Sequence, residues 1–205
     1  MAKLKFGIIG CGAIAANSFA PSLCNSEEAE LVAVCRRDKG KARNFAEQFG
    51  GCSHYDSAED LLADEEVEAV VVATPTDTHR DYTVLAAERS KHVICEKPMA
   101  RDAAECRQMV QACQKAGVKL AVAYRRRLFP QVLKAKALIA EGRIGRVVSV
   151  RTHYSGWMSV GPDEWRVDPG IGGAMMEMAV HRLEVLLNLA AAPVEVSALG
   201  ETVEH

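Results

Sequence analysis

A Cys-x-x-Cys pair, the usual opening of a zinc or thiol-redox site, is missing from this sequence although it carries seven cysteines: Cys11, Cys24, Cys35, Cys52, Cys95, Cys106 and Cys113. Their odd number argues against a complete disulfide framework, so most read as buried small hydrophobes, and no metal site is expected. Long apolar runs are missing too. No segment approaches the roughly 18 consecutive apolar residues of a membrane span, and the start, MAKLKFGIIG, runs straight into a strand pattern rather than a signal peptide. A cytoplasmic protein without membrane contact is expected. An excess of one charge is also absent, with 25 Lys and Arg against 27 Asp and Glu and a net charge of −2. That balance gives no basic face to displace counterions from nucleic acid, and the single basic cluster is Arg125, Arg126 and Arg127. There is no internal repeat, low-complexity tract or flexible linker.

What is present is an ordinary globular composition over 205 residues, 49% hydrophobic and 25% charged, enough for one full domain and a smaller companion. Short apolar runs alternate with amphipathic stretches as far as residue 124. Lys5–Ile9, Leu31–Cys35, Ala69–Ala73, His92–Cys95 and Lys119–Ala123 read as strands. They lack the alternation of a sheet with one wet face, so a parallel sheet covered on both sides is expected. Gly40–Phe49, Thr78–Ala87 and Ala103–Ala116 read as the crossover helices, the last stopped by Gly117. Right-handed crossovers then give an α/β, doubly wound Rossmann sheet over residues 1–123, with its ligand at the carboxyl ends of the strands. Residues 124–205 read as a second, partial α/β unit. Its elements are a helix Pro130–Glu141, a strand Arg146–Tyr154, a helix Gly173–Ala191 and an apolar run Val194–Leu199.

The first strand leads into Gly10-Cys11-Gly12-Ala13-Ile14-Ala15, the Gly-x-Gly-x-x-Gly/Ala pattern placed where this fold builds its dinucleotide site. Gly10 permits the tight turn, Gly12 lets the backbone approach a pyrophosphate, and Ala15 allows close helix packing. The free N–H groups of the helix start, with Ala13 and Ile14, favour the anion. The acidic residue that would accept from a ribose 2′-hydroxyl at the end of the second strand is missing. Cys35 stands there, followed by Arg36 and Arg37, whose guanidinium groups suit a 2′-phosphate. NADP is therefore expected over NAD, although Asp38 reaches the ribose if its loop curls back.

The fourth of these strands ends in Cys95-Glu96-Lys97-Pro98, which puts a lysine at the carboxyl edge of the sheet, where Pro98 restricts its backbone. In the second unit Glu177 and His181 are four residues apart in a helical segment, with Glu184 three further on, so all three share a face. A histidine flanked by carboxylates suits a proton carrier, one carboxylate fixing its tautomer.

Taken together, the glycine turn, Ala73-Thr74-Pro75 with His79, Glu96-Lys97-Pro98, and Trp165-Arg166 followed by Gly172-Gly173 and His181 resemble the family of glucose–fructose oxidoreductase and inositol dehydrogenase. The resemblance covers nearly the whole chain. It implies a Rossmann domain joined to an open-sheet α/β domain, and hydride transfer between nicotinamide and a sugar, cyclitol or related polyol. It further implies that Thr74, Pro75 and His79 line the cofactor, that Glu96 and Lys97 lie beside the nicotinamide, and that Lys97 and His181 are catalytic, with Glu177 orienting the substrate. Arg127, Trp165 and Arg166 resemble residues that approach cofactor or substrate. The chain departs from the family in having Glu for Asp at 177 and 184 and Ala for Gly at 179, and a longer carboxylate shifts its oxygens by about a methylene. Family members continue far beyond the helix of His181, building a sheet whose open face forms a dimer interface. Two strands with an uncovered face are marginal, so a homo-oligomer is expected if that sheet is completed. The other reading left open is a dinucleotide-binding sensor of the same fold, weak or inactive in catalysis.

Overall fold

The computed structural model describes residues 2–155, 161, 173, 175–190 and 192–199. Six strands, β1 Leu4–Ile9, β2 Ala29–Cys35, β3 Ser53–Tyr55, β4 Ala69–Val72, β5 His92–Cys95 and β6 Leu120–Val122, make one parallel sheet in the order β3-β2-β1-β4-β5-β6. The five expected strands are all there. β3 has no counterpart in the sequence reading, because three partly exposed residues at a sheet edge carry no apolar run.

Within β4 the side chains alternate strictly. Ala69 and Val71 pack with Phe19, Leu23 and Phe45 on one face, while Val70 and Val72 pack with Leu61, Ala86 and Met109 on the other. Both faces are thus dry, which explains why the strand reads as an unbroken apolar run. The first face is covered by α1 Ala20–Cys24 and α2 Lys39–Gln48, the second by α3 Ala58–Ala63, α4 His79–Glu88 and α5 Ala103–Ala116. Before α1 the chain makes one wide π turn, Ala15–Phe19. The register brings Cys35, Ile9, Val72, Cys95 and Val122 level, so the loops that follow all five strands open on one edge of the sheet. Strand order reverses between β1 and β4, the switch point at which such sheets bind ligands.

Helix starts are held by side chains. Asp38 accepts from the Lys41 N–H at 2.9 Å, and Ser57 from the Asp60 N–H at 3.1 Å. Asp102 accepts from the N–H groups of Ala104 (2.7 Å) and Glu105 (2.9 Å), and α5 ends on Gly117 in the left-handed conformation at φ 68°. The Glu105 N–H holds the Asp102 carboxyl below the usual carboxylate range. Because folding lowers that pKa, the cap stabilises the fold above the unfolded value and is lost as pH falls through the folded one. An Asp102→Ala protein is expected to melt a few degrees below wild type at pH 7. In thermal melts taken progressively below about pH 4, that gap should narrow.

The described residues up to Ala123, together with those leading up to Glu177, form one compact unit; Tyr124–Ser155 and the described residues from Met178 onward form another. In the second unit α6 Pro130–Ala140 packs against α7 Val180–Leu189, and Lys136 Nζ donates to Asn188 Oδ1 at 3.0 Å. The expected helix Gly173–Ala191 is shorter than its sequence pattern and begins as a π turn, Met175–Ala179. The expected strands Arg146–Tyr154 and Val194–Leu199 are not formed, and Val148, Val194 and Leu199 are almost wholly exposed. An apolar run makes a segment able to be a strand, but a strand exists only through a neighbour's backbone hydrogen bonds, and neither segment has such a neighbour among the described residues.

Candidate functional site

A cleft of about 720 Å³ lies along the carboxyl edge of the sheet, bounded by the turn after β1, the loop after β2, the start of α3 and the loop after β4. Gly10, Gly12, Cys11, Arg36, Arg37, Thr74 and Pro75 all line it. Gly10 takes φ +101°, and a Cβ there would meet the carbonyl oxygen of Ala73 at 2.6 Å. The turn after β1 thus touches the backbone after β4, and only glycine allows it. Gly12 is different: a Cβ on it meets no atom within 4 Å, and the residue is exposed. Ala13 is also exposed, while Ala15 is wholly buried against the core, as close helix packing requires.

At the end of β2 the two arginines part company. Arg36 is half-buried and its Nη1 donates to the carbonyl of Cys11 at 2.8 Å, whereas Arg37 is exposed. Asp38, the acid after the two arginines, is engaged in capping α2, and the Lys41 N–H holds its carboxyl below the usual range. Two thiols also line the cleft. Cys11 Sγ donates to the Cys35 carbonyl at 3.4 Å, and burial pushes the two thiols up to about 12 and about 11 respectively.

His79 is the buried histidine at the start of α4. It is only 1% exposed, and both ring nitrogens are engaged, Nδ1 with the Pro98 carbonyl and Nε2 with the Thr74 carbonyl, each at 2.9 Å. It ties the loop after β4 to the loop after β5 from beneath, and does not itself line the cleft. Thr78 and Tyr82, which the sequence reading passed over, do line it. Thr78 Oγ1 lies 2.7 Å from both the Pro75 carbonyl, to which it donates, and Thr74 Oγ1, with which it shares a hydroxyl–hydroxyl hydrogen bond. Thr78 immediately precedes α4 and Tyr82 lies four residues on, within it, and that spacing was the available signal. Asp77 lines the cleft as well, and its buried Oδ1 has no hydrogen-bond partner among the described residues. A ligand hydroxyl or amide would satisfy it. The open space over Gly12 and this acceptor both fit a bound dinucleotide.

Beyond β5, Glu96 is buried and turned back on its own chain, its Oε2 accepting from the Lys97 N–H at 2.9 Å. Lys97 Nζ donates to the Glu177 carbonyl at 3.1 Å and pairs with Glu177 Oε1 at 3.3 Å, with only 13% and 16% of the two side chains exposed. A cation is therefore held, mostly out of water, at the same sheet edge as the glycine turn. Helical spacing places Glu177 and Glu184 on the face of His181, and each carboxylate meets a cation. The Glu177 carboxylate is paired with Lys97, and the buried Glu184 carboxylate accepts from Arg127 Nε at 2.6 Å. Arg127 is thereby spent on an ion pair within the second unit, because a buried carboxylate requires a cation. His181 is half-buried on α7. Trp165, Arg166 and Gly172 lie outside the described residues. Among the described residues no group of histidine, cysteine and carboxylate side chains is arranged to hold a metal, and no helix is long and apolar enough to cross a membrane.

Comparison with known proteins accords with this geometry. Residues 4–124 match the oxidoreductase family with an NAD-binding Rossmann fold, and residues 132–205 match the Gfo/Idh/MocA C-terminal domain. The D-xylose 1-dehydrogenase (NADP(+)) 2 of Haloferax volcanii is 36% identical over 179 residues, 87% of this chain and 54% of that one. The trans-1,2-dihydrobenzene-1,2-diol dehydrogenase of Mus musculus is 32% identical, covering 96% of this chain and 60% of its own. Among solved structures, the aldose-aldose oxidoreductase of Caulobacter crescentus, complexed with glycerol, superimposes with a TM-score of 0.81 at 31% identity, over 92% of this chain and 58% of that one. The chain thus spans a little over half the length of the relatives it matches. With both family regions found in their proper order, the chain belongs to the Gfo/Idh/MocA family of oxidoreductases.

Proposed function

We propose that this chain binds NADP in preference to NAD and serves an oxidoreductase that moves hydride between the nicotinamide and a CH–OH carbon of a sugar, cyclitol or related polyol. The observation that carries the proposal is the Lys97–Glu177 ion pair, a cation kept largely from water at the sheet edge that also carries the glycine turn. The names of the relatives, a xylose dehydrogenase and a dihydrodiol dehydrogenase among them, point to the same substrate class. The NADP preference is supported by the arginines after β2, by the engagement of Asp38 in a helix cap, and by the NADP-dependence in the name of the Haloferax relative.

When bound, the nicotinamide supplies the hydride acceptor or donor. The chain's own residues do the rest. Gly10, Gly12, Ala13, Ile14 and Ala15 form the phosphate-binding turn, and Thr74 and Pro75 border the ribose track. Lys97 Nζ holds the substrate oxygen and stabilises the alkoxide charge that develops on it as its proton passes to His181 or, in the reverse direction, as hydride reaches the carbonyl carbon. Glu177 orients Lys97 and the substrate hydroxyls, and His181 carries the hydroxyl proton. Glu96, buried beneath Lys97, fixes its backbone.

The test is a titration of NADPH and NADH followed by nicotinamide fluorescence, then a panel of sugars and cyclitols with oxidised cofactor. Tight NADPH binding with substrate-dependent reduction is expected. Binding without turnover on any substrate would favour the sensor reading, and tighter NADH than NADPH binding would overturn the cofactor preference. His181→Asn is expected to lower turnover by at least about a hundredfold with dinucleotide affinity retained; undiminished turnover would remove His181 from the mechanism.

A further inference from the structure

The two arginines after β2 are adjacent in sequence and both border the cleft, yet the structure uses them differently. Three contacts stitch the end of β1 to the end of β2. The Gly10 N–H donates to the Cys35 carbonyl at 3.0 Å, the Cys11 thiol donates to that same oxygen at 3.4 Å, and Arg36 Nη1 returns to the Cys11 carbonyl at 2.8 Å. The Arg36 N–H is also engaged, with the Tyr55 carbonyl of β3 at 3.1 Å. Arg36 is therefore fixed at both ends, its backbone on the sheet and its guanidinium on the glycine turn. Arg37 is exposed and makes no hydrogen bond among the described residues.

A carbonyl in the middle of a phosphate-binding turn is an electrostatic liability, because its partial negative charge opposes the N–H groups that would face an anion. A guanidinium bonded to that carbonyl offsets the charge and adds a full positive charge beside the turn. It also fixes the turn's backbone before any ligand arrives. The pyrophosphate is common to NADPH and NADH, whereas the 2′-phosphate belongs to NADPH alone.

We infer that Arg36 is a positioning residue for the phosphate-binding turn that strengthens both dinucleotides alike, and that discrimination between them falls to Arg37. The inference rests on the dinucleotide reading above and assigns to one arginine a task that sequence alone shares between two.

The experiment measures dissociation constants of NADPH and NADH, by nicotinamide fluorescence, for wild type, Arg36→Gln, Arg36→Lys and Arg37→Gln, with a thermal melt of each. Arg36→Gln should weaken both ligands by a common factor of about tenfold, the effect of one charge-assisted hydrogen bond, with the NADPH to NADH ratio held within about twofold of wild type. Arg36→Lys keeps a cation at the turn and should recover part of the affinity for both ligands, again without moving the ratio. Arg37→Gln should weaken NADPH, spare NADH and collapse the ratio. The inference is overturned if Arg36→Gln collapses the ratio as Arg37→Gln does, or if it binds both ligands as wild type does. Should the glutamine variant fold poorly, the lysine variant carries the same comparison of ratios. Failure of the dinucleotide reading itself looks different, since wild type would then bind neither ligand.

Discussion

A Lys97→Met protein is expected to bind NADPH nearly as well as wild type and to turn over about a thousandfold more slowly. Lys97 already has its Nζ in place, donating to the Glu177 carbonyl at 3.1 Å and paired with the Glu177 carboxylate at 3.3 Å. A donor fixed in advance, and largely screened from water, needs no reorganisation when charge develops on the substrate oxygen, so its loss falls on the reacting step more than on binding. Truncation also strands the half-buried Glu177 carboxylate without its cation, which lowers stability. The two effects separate in Lys97→Met/Glu177→Gln, where neutralising the carboxylate should restore part of the melting temperature but none of the turnover. Steady-state reduction rates and thermal melts of wild type and the two variants decide the matter; turnover within about tenfold of wild type for Lys97→Met would end the catalytic assignment.

The second large effect contrasts two glycines of one turn. Gly10→Ala is expected to cost about 3 kcal/mol or more of stability. Its Cβ would lie 2.6 Å from the Ala73 carbonyl oxygen and 2.8 Å from the Ala73 carbonyl carbon, backbone atoms of a buried strand end that cannot swing aside, and its φ of +101° strains any L side chain. Gly12→Ala should leave stability within about 0.5 kcal/mol, as a surface change meeting nothing does, since no atom lies within 4 Å of its Cβ. That methyl would instead stand in the space a pyrophosphate needs, and a dinucleotide affinity about a hundredfold weaker is expected. Chemical denaturation and NADPH titration on the pair form a crossed test: a stable Gly10→Ala protein, or a Gly12→Ala protein that binds NADPH normally, contradicts it.

The residues that were legible in the sequence are those whose role depends on their near neighbours in the chain. Val70, Val71 and Val72 announce a buried parallel strand because both faces of the sheet are dry, and Gly10-Cys11-Gly12 sits where a turn must follow. Asp102 and Gly117 mark the ends of α5 by local hydrogen bonding and by left-handed backbone. Ser53–Tyr55 was not legible, because three residues at an edge carry no periodic signal. Partnerships across the chain were hidden as well. Glu177 shares a helical spacing with His181, yet its carboxylate goes to Lys97, eighty residues earlier. Glu184 goes to Arg127, and His79 spends both nitrogens on carbonyls. Spacing says which residues share a helical face, whereas burial decides which charges must meet. The apolar runs at 146–154 and 194–199 misled for a related reason, since strand formation depends on a neighbour that the run itself cannot specify.

The two sulfurs at the mouth of the glycine turn have a practical consequence at the bench. With Cys11 and Cys35 pushed up to about 12 and about 11 by burial, almost no thiolate is present at neutral pH, and alkylating reagents act on thiolate. Burial raises the Cys24 thiol as well, but Cys24 is exposed at the end of α1 whereas both cleft thiols are buried, so maleimide chemistry is expected at Cys24 ahead of the cleft. A dye placed there marks the protein at a residue that does not line the cleft.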